Sequence, residues 1–120
     1  MQKKLIIIED DFLSKFAYEI ALKEKFTLTI VDEPDQFLSN FRDREYDLAM
    51  LDINLGDKQI TGSELLIKVK QEFPESKTKF VAVTAYSLEE DRKKFIQIGF
   101  DSFIPKPIDF DSLSTILNGI

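Results

Sequence analysis

The sequence LIIIEDD, residues 5–11, is a short run of apolar residues that ends in three acids. A continuous apolar run of this length predicts a strand that is buried on both faces, as in a parallel sheet. The pattern recurs, since a largely apolar run over residues 47–51 ends at Asp52 and another over residues 80–83 ends at Thr84. We therefore predict a parallel sheet with polar side chains at the carboxyl ends of its strands.

Segments with the apolar spacing of amphipathic helices lie between these runs. Pro34 suits a first helical turn, and Pro74 and Gly99 follow predicted helix ends. The predicted strands are Leu5–Ile8, Thr27–Val31, Asp47–Leu51, Phe80–Val83 and Ser102–Ile104. The predicted helices are Asp11–Lys25, Pro34–Arg44, Ser63–Phe73, Leu88–Ile98 and Asp111–Asn118. In the first helix, the apolar residues expected to share one face are Leu13, Phe16, Ala17 and Ile20. In the second helix, the residues expected to point inward are Phe37, Leu38 and Phe41.

Strands and helices alternate along the whole chain, which predicts a three-layer α/β/α sandwich with right-handed crossovers. For a five-stranded parallel sheet the commonest order is 2-1-3-4-5, the flavodoxin-like, doubly wound arrangement. No repeat or linker interrupts the pattern, so we expect residues 1–120 to form one domain. Ligands of such sheets bind beyond the carboxyl ends of the strands, where the strand order reverses between strands 1 and 3.

Composition excludes several kinds of chemistry. The 120 residues include no Cys and no His, so thiolate chemistry, Ser-His-Asp triads and His-ligated metals are excluded. The net charge of −6 and the lack of a basic patch argue against direct binding of nucleic acid. No apolar run is long enough for a membrane span or a signal peptide. We expect a soluble, cytoplasmic protein without a membrane partner.

The predicted strand ends bring acids, a hydroxyl and an ammonium group to one edge of the sheet. The residues expected there are Glu9, Asp10, Asp11, Asp52, Thr84 and Lys106. Carboxylates that lie so close together repel one another. A hard cation such as Mg²⁺, which takes oxygen ligands, relieves this repulsion when the carboxylates bind it. We expect Asp10, Asp52 and the backbone carbonyl of Asn54 to bind the ion directly, and Glu9 to act through water.

Such a site suits phosphoryl transfer, in which positioning and charge neutralisation supply most of the catalysis. An ionised carboxylate can attack phosphorus and form an acyl phosphate. Asp52, at the end of a middle strand, is the candidate nucleophile. Thr84 and Lys106 are placed to hold phosphoryl oxygens.

The whole chain resembles the receiver domain of two-component response regulators. The resemblance rests on four motifs in register: Ile8-Glu9-Asp10-Asp11, Leu51-Asp52-Ile53-Asn54-Leu55, Val83-Thr84-Ala85 and Pro105-Lys106-Pro107. It implies that Asp52 is the phosphoacceptor, that Glu9 and Asp10 are the acidic pair for Mg²⁺ (or Mn²⁺), and that the domain catalyses its own phosphorylation and dephosphorylation. It also implies that Thr84 is the switch hydroxyl and that Lys106 is the lysine that pairs with the phosphate. Phe103 would be the switch aromatic residue, and the peptide bond before Pro107 would be cis.

The sequence departs from the family pattern in its first acid, Glu9, where Asp is commoner, and in Gly56, where Pro is common. Gly62 lies ten residues after Asp52, which predicts a loop about two residues longer than usual. Phe103 lacks the hydroxyl of the commoner Tyr.

The chain has no His, so the resemblance implies a separate donor, either a histidine kinase or a His-containing phosphotransfer protein. Phosphorylation is expected to alter the face formed by helix 4, strand 5 and helix 5, which then meets a downstream protein. Asn54 and Tyr86 border the site and are expected to tune the access of water. The sequence does not decide whether the domain forms a homodimer. The apolar spacing of Phe110, Leu113, Leu117 and Ile120 runs up to the last residue and favours a longer chain.

Other interpretations stay open. Asp10 or Asp11 could simply cap the first helix, and residues 89–94, EEDRKK, read most simply as a solvated helix face. As a whole, the chain could be a pseudo-receiver that only binds partners. A small Asp-nucleophile phosphatase is disfavoured because Asn54 stands where a second Asp is wanted, and a flavodoxin-like cofactor binder because acids follow strand 1.

Overall fold

The computed structural model describes residues 2–55, 60–85 and 89–120. The strands are β1 (Lys3–Ile8), β2 (Phe26–Val31), β3 (Leu48–Asp52), β4 (Lys79–Thr84) and β5 (Ser102–Pro105). The helices are α1 (Phe12–Leu22), α2 (Pro34–Asp43), α3 (Gly62–Glu72), α4 (Glu89–Ile98) and α5 (Leu113–Asn118). All ten predicted elements are present, and the largest displacement of an end is in α1, which stops at Leu22 rather than Lys25.

The five strands form one parallel sheet in the order β2-β1-β3-β4-β5, which confirms the predicted topology. Register aligns the carboxyl ends of the central strands, because Ile8 pairs with Leu51, Asp52 with Val83, and Thr84 with Pro105. The segments that follow β1, β3, β4 and β5 therefore emerge at one edge.

Two apolar layers cover the sheet because successive side chains of each strand point to opposite faces. One layer holds Ile6, Ile8, Ala49, Leu51, Phe80 and Ala82, packed against α2, α3 and α4 through Phe37, Phe41, Leu65, Leu66, Val69 and Phe95. The other holds Leu5, Ile7, Leu48, Met50, Val81 and Val83, packed against α1 and α5 through Tyr18, Leu22, Leu113 and Leu117. These layers confirm the inward placement of the α2 phenylalanines and the three-layer architecture.

Leu13, Phe16 and Ile20 share one face of the first helix, as expected, but that face points away from the sheet. The buried side chains of α1 are Tyr18 and Leu22, whereas Leu13, Phe16 and Ile20 are 73%, 54% and 63% exposed. A shift of two residues rotates a helix by about 200°, so these two sets lie on opposite faces. Since α1 has apolar residues on both faces, spacing alone did not reveal which one packs on the sheet.

No helix in residues 2–55, 60–85 and 89–120 is long and apolar enough to cross a membrane.

Candidate functional site

The site lies at the carboxyl edge of the sheet, beside the central strands. Glu9 directly follows β1, Asp52 ends β3 and Thr84 ends β4. The backbone N–H of Lys106 donates to the Thr84 carbonyl at 2.9 Å, which ties the segment after β5 to the end of β4. Local sequence thus places an acid, the buried carboxylate, a threonine and a lysine at one edge of the sheet, as predicted.

Asp52 is the centre of this arrangement. Its carboxylate is buried, with the residue 8% exposed, and the backbone N–H of Asn54 donates to its Oδ1 at 2.9 Å. The Lys106 ammonium forms an ion pair with Oδ2. Both carboxylate oxygens are therefore held by a donor, and charge-assisted bonds of this kind orient the group.

Glu9 is electrostatically coupled to Asp52. Partial burial is the main cause that raises the pKa of the Glu9 carboxyl above its ordinary value of 4.5, and the Asp52 charge raises it further. A hydrogen bond from the Asp11 N–H to Glu9 Oε2, at 3.2 Å, opposes this shift. The negative charge of Asp52 thus acts on Glu9, and a cation bound beside them would favour the ionised form of Glu9.

Asp11 caps the first helix rather than facing the site. Its Oδ2 accepts the Ser14 backbone N–H at 2.9 Å, and this hydrogen bond lowers the pKa of the Asp11 carboxyl. The capping interpretation therefore holds for Asp11. Asp10, the predicted metal ligand, is exposed.

The donor set suits a hard divalent cation. Glu9, Asp10, Asp52 and the Asn54 carbonyl offer only oxygen atoms, which Mg²⁺ prefers. Within the described residues, however, no three acidic side chains form a ready-made metal cage, so the expected convergence of three or more carboxylates is not seen. One or two carboxylates suffice for Mg²⁺, which usually keeps several waters, so Asp52 with one acid after β1 would be enough to hold the ion.

The remaining predicted residues occupy different positions. Thr84 is buried, Phe103 is half-buried and packs against the layer that contains Ala82, and the side chain of Asn54 is exposed. The Lys106–Pro107 peptide bond is cis, as the resemblance implied. Tyr86 lies outside the described residues.

Gly62 supports Asp52 in a way that sequence reasoning missed. A Cβ atom on Gly62 would lie 2.1 Å from the backbone oxygen of Asp52, and the Gly62 N–H donates to the Ile53 carbonyl at 3.1 Å. The start of α3 is thus pressed against the end of β3, and only glycine fits there. The sequence offered only its position, ten residues after Asp52 and just before a predicted helix, and that position does not by itself reveal this contact.

These features define a doubly wound α/β protein with a buried, lysine-paired aspartate at its switch point. A model of the response regulator receiver domain family matches residues 5–118, and the chain belongs to that family. It is a receiver domain of two-component signalling, a family in which phosphorylation and Mg²⁺ are general features.

Similar proteins support this assignment. The chain is 30% identical over its whole length to a probable transcriptional regulator, ycf29, of Pyropia yezoensis, of which it covers 54%. Over 94% of its length it is 27% identical to the response regulator ArlR of Staphylococcus epidermidis, of which it covers 49%. The chain thus spans about half the length of these relatives. The chemotaxis protein CheY4 of Vibrio cholerae has the same fold, with a TM-score of 0.88 at 16% identity over 100% of this chain and 99% of that one.

Replacing Glu9 with glutamine tests the electrostatics of the site. Because the folded-state pKa of Glu9 is raised from 4.5, the native state holds the proton more tightly than the unfolded state. Stability therefore falls as pH rises through this range. In the presence of a chelator, we expect Glu9→Gln to raise the thermal midpoint at neutral pH by on the order of a degree. The decline in the thermal midpoint between acid and neutral pH should also become smaller. The substitution should weaken stabilisation by added Mg²⁺.

Thermal unfolding with and without Mg²⁺ measures both effects. Glu19→Gln is the matched control, since Glu19 is exposed on α1 and should leave both unchanged. A Glu9→Gln variant that is less stable than the parent at neutral pH, or as strongly stabilised by Mg²⁺, would contradict this account.

Proposed function

We propose that this domain accepts a phosphoryl group on Asp52 from a phosphohistidine of a partner protein, in a Mg²⁺-dependent reaction, and thereby switches a partner-binding face. The observation that carries the proposal is the buried Asp52 carboxylate, oriented by the Asn54 N–H and paired with Lys106. The donor is a histidine kinase or a His-containing phosphotransfer protein. The proposal places this exchange in the cytoplasm.

The chemical step follows from the positions of the side chains. A carboxylate oxygen of Asp52 forms a bond to phosphorus while the bond between phosphorus and the donor's imidazole nitrogen breaks, and that nitrogen keeps the electron pair. The Lys106 ammonium, now paired with Asp52, moves to a phosphoryl oxygen, and the Thr84 hydroxyl donates to another. When bound, Mg²⁺ neutralises charge on the phosphoryl group.

Loss of the phosphoryl group completes the cycle. Water attacks phosphorus, and the bond between phosphorus and the Asp52 oxygen breaks to regenerate the carboxylate. Inorganic phosphate leaves, and the proton lost by the water passes to solvent. We propose that Asn54, which is exposed two residues after Asp52, and Tyr86 govern how water reaches phosphorus.

We propose that the donor binds the outer face of α1. This face carries Phe12, Leu13, Phe16 and Ile20, each between 54% and 74% exposed. It begins next to the site, because Asp11 caps α1 and Glu9 flanks Asp52. An exposed apolar patch of this kind is typical of a protein-binding surface, and the donor must reach the rim of the site in order to present its histidine.

Substituting Ile20 with glutamate tests this surface. We expect Ile20→Glu to slow transfer from a phosphohistidine protein by about tenfold or more, because a buried charge at an interface centre is costly. Phosphorylation by acetyl phosphate, which needs no docking, should be unchanged. Ile67→Glu on α3 is the matched control, since Ile67 is 44% exposed on the other side of the sheet. Equal loss in both variants, or loss with acetyl phosphate as well, would contradict the assigned surface.

We propose that the output surface is the face formed by α4, β5 and α5. Phe103 on β5 is half-buried beneath Arg92 of α4, and Ile96 of α4 is 57% exposed. A movement of Thr84 would displace residues of this face because β4 and β5 are paired.

Titration with beryllofluoride, which mimics the phosphoryl group, separates this function from that of a pseudo-receiver. We expect beryllofluoride to bind only when Mg²⁺ is present and to raise the thermal midpoint of the domain. A domain that binds neither beryllofluoride nor Mg²⁺ would be a module that binds partners and is not phosphorylated.

A further inference from the structure

Arg92 of α4 covers the ring of Phe103. Its guanidinium carbon lies 5.2 Å from the ring centroid, within the range of a cation–π contact. Lys93 and Lys94 follow Arg92 and are exposed. Although this basic stretch reads as a solvated helix face in the sequence, Arg92 joins α4 to β5.

The contact is important because few side chains of α4 are buried against the rest of the domain. Among the residues of α4, Phe95 alone is buried. Phe95 packs edge-on against Phe100, with the ring centroids 6.1 Å apart. A helix with so little buried surface depends more than its neighbours do on each contact at its margin.

The ring beneath Arg92 lies close to the end of β4. Phe103 pairs with Ala82 and Pro105 pairs with Thr84. Because alternate residues of a strand share a face, Ala82 and Thr84 point to the same side of the sheet, and Phe103 lies on that side. A Thr84 hydroxyl drawn toward Asp52 would therefore change the space beside the Phe103 ring.

We propose that Arg92 is a positioning residue that holds Phe103 and α4 in the unphosphorylated arrangement and must release the ring when the domain switches. This inference rests on the proposed phosphorylation of Asp52. Loss of the contact lowers the cost of switching. An exposed cation–π contact shifts an equilibrium by about two- to fivefold. While the switched fraction is small, the apparent affinity for a phosphoryl mimic is proportional to that fraction and therefore rises by the same factor.

The test is calorimetric titration of beryllofluoride in excess Mg²⁺. We expect Arg92→Gln to bind it about two- to fivefold more tightly than Lys93→Gln, which makes the same change of charge without the ring contact. In a Phe103→Leu background, Arg92→Gln should give no gain over Lys93→Gln. Hydrogen exchange of α4 amides, without ligand, should be faster in Arg92→Gln than in Lys93→Gln.

The outcomes are distinguishable. If the unsubstituted domain binds beryllofluoride and Arg92→Gln equals Lys93→Gln in affinity and exchange, Arg92 has no positioning role and the proposed function stands. Weaker binding by Arg92→Gln would place the contact in the switched arrangement and overturn the inference. If the unsubstituted domain does not bind beryllofluoride with Mg²⁺, both the proposed function and this inference fail.

Discussion

Replacing Asp52 with asparagine is expected to abolish phosphorylation. The amide keeps an oxygen that can accept the Asn54 N–H, so the fold should survive, but it has no anionic oxygen to attack phosphorus. Removal of a nucleophile costs on the order of a thousandfold or more in rate. The measurement is incorporation of label from radioactive acetyl phosphate in the presence of Mg²⁺.

Asp35→Asn is the matched control for this substitution. Asp35 is exposed in the first turn of α2, and the same change there should leave labelling intact. Circular dichroism should show both variants folded. Normal labelling of Asp52→Asn would refute the assignment of the phosphoacceptor.

Gly62→Ala is expected to destabilise the domain and to slow its phosphorylation. The new Cβ would lie 2.1 Å from the Asp52 carbonyl oxygen, so the start of α3 or the end of β3 must move. Overpacking of this kind costs about 1–3 kcal/mol, and the movement should also displace the carboxylate from Lys106. We expect lower stability in urea unfolding and slower labelling by acetyl phosphate.

Gly119→Ala supplies the control because a Cβ there would lie 3.5 Å from its nearest neighbour, the Ile116 oxygen, in ordinary contact. Its stability should stay within about 0.5 kcal/mol of the parent. Equal stability of the two alanine variants would show that the contact between Gly62 and Asp52 does not constrain the site.

Much of the fold could be predicted because its signals are local. A continuous apolar run that ends in an acid specifies both a buried strand and what stands at its carboxyl end, as at residues 5–11 and at Asp52. Parallel register then brings those ends together without further information, which is why Lys106 could be predicted at the same edge as Asp52, although their ion pair was not predicted.

What could not be predicted depends on packing. The outward face of α1 has the same spacing as a core-facing stripe, and only the seating of Tyr18 and Leu22 on the sheet identifies the buried side. The contact of Gly62 with Asp52 joins two backbone segments, so no side-chain pattern reports it. Similarly, nothing in the charges of residues 89–94 indicated that Arg92 would cover an aromatic ring.

Trapping the acyl phosphate identifies the residue that carries the phosphoryl group. An aspartyl phosphate is reduced by borohydride to homoserine, which marks the modified position in a peptide map. After incubation with acetyl phosphate and Mg²⁺, we expect homoserine at Asp52 and at no other aspartate. Homoserine at Asp10 or Asp11, or none in a protein that carries label, would contradict the account.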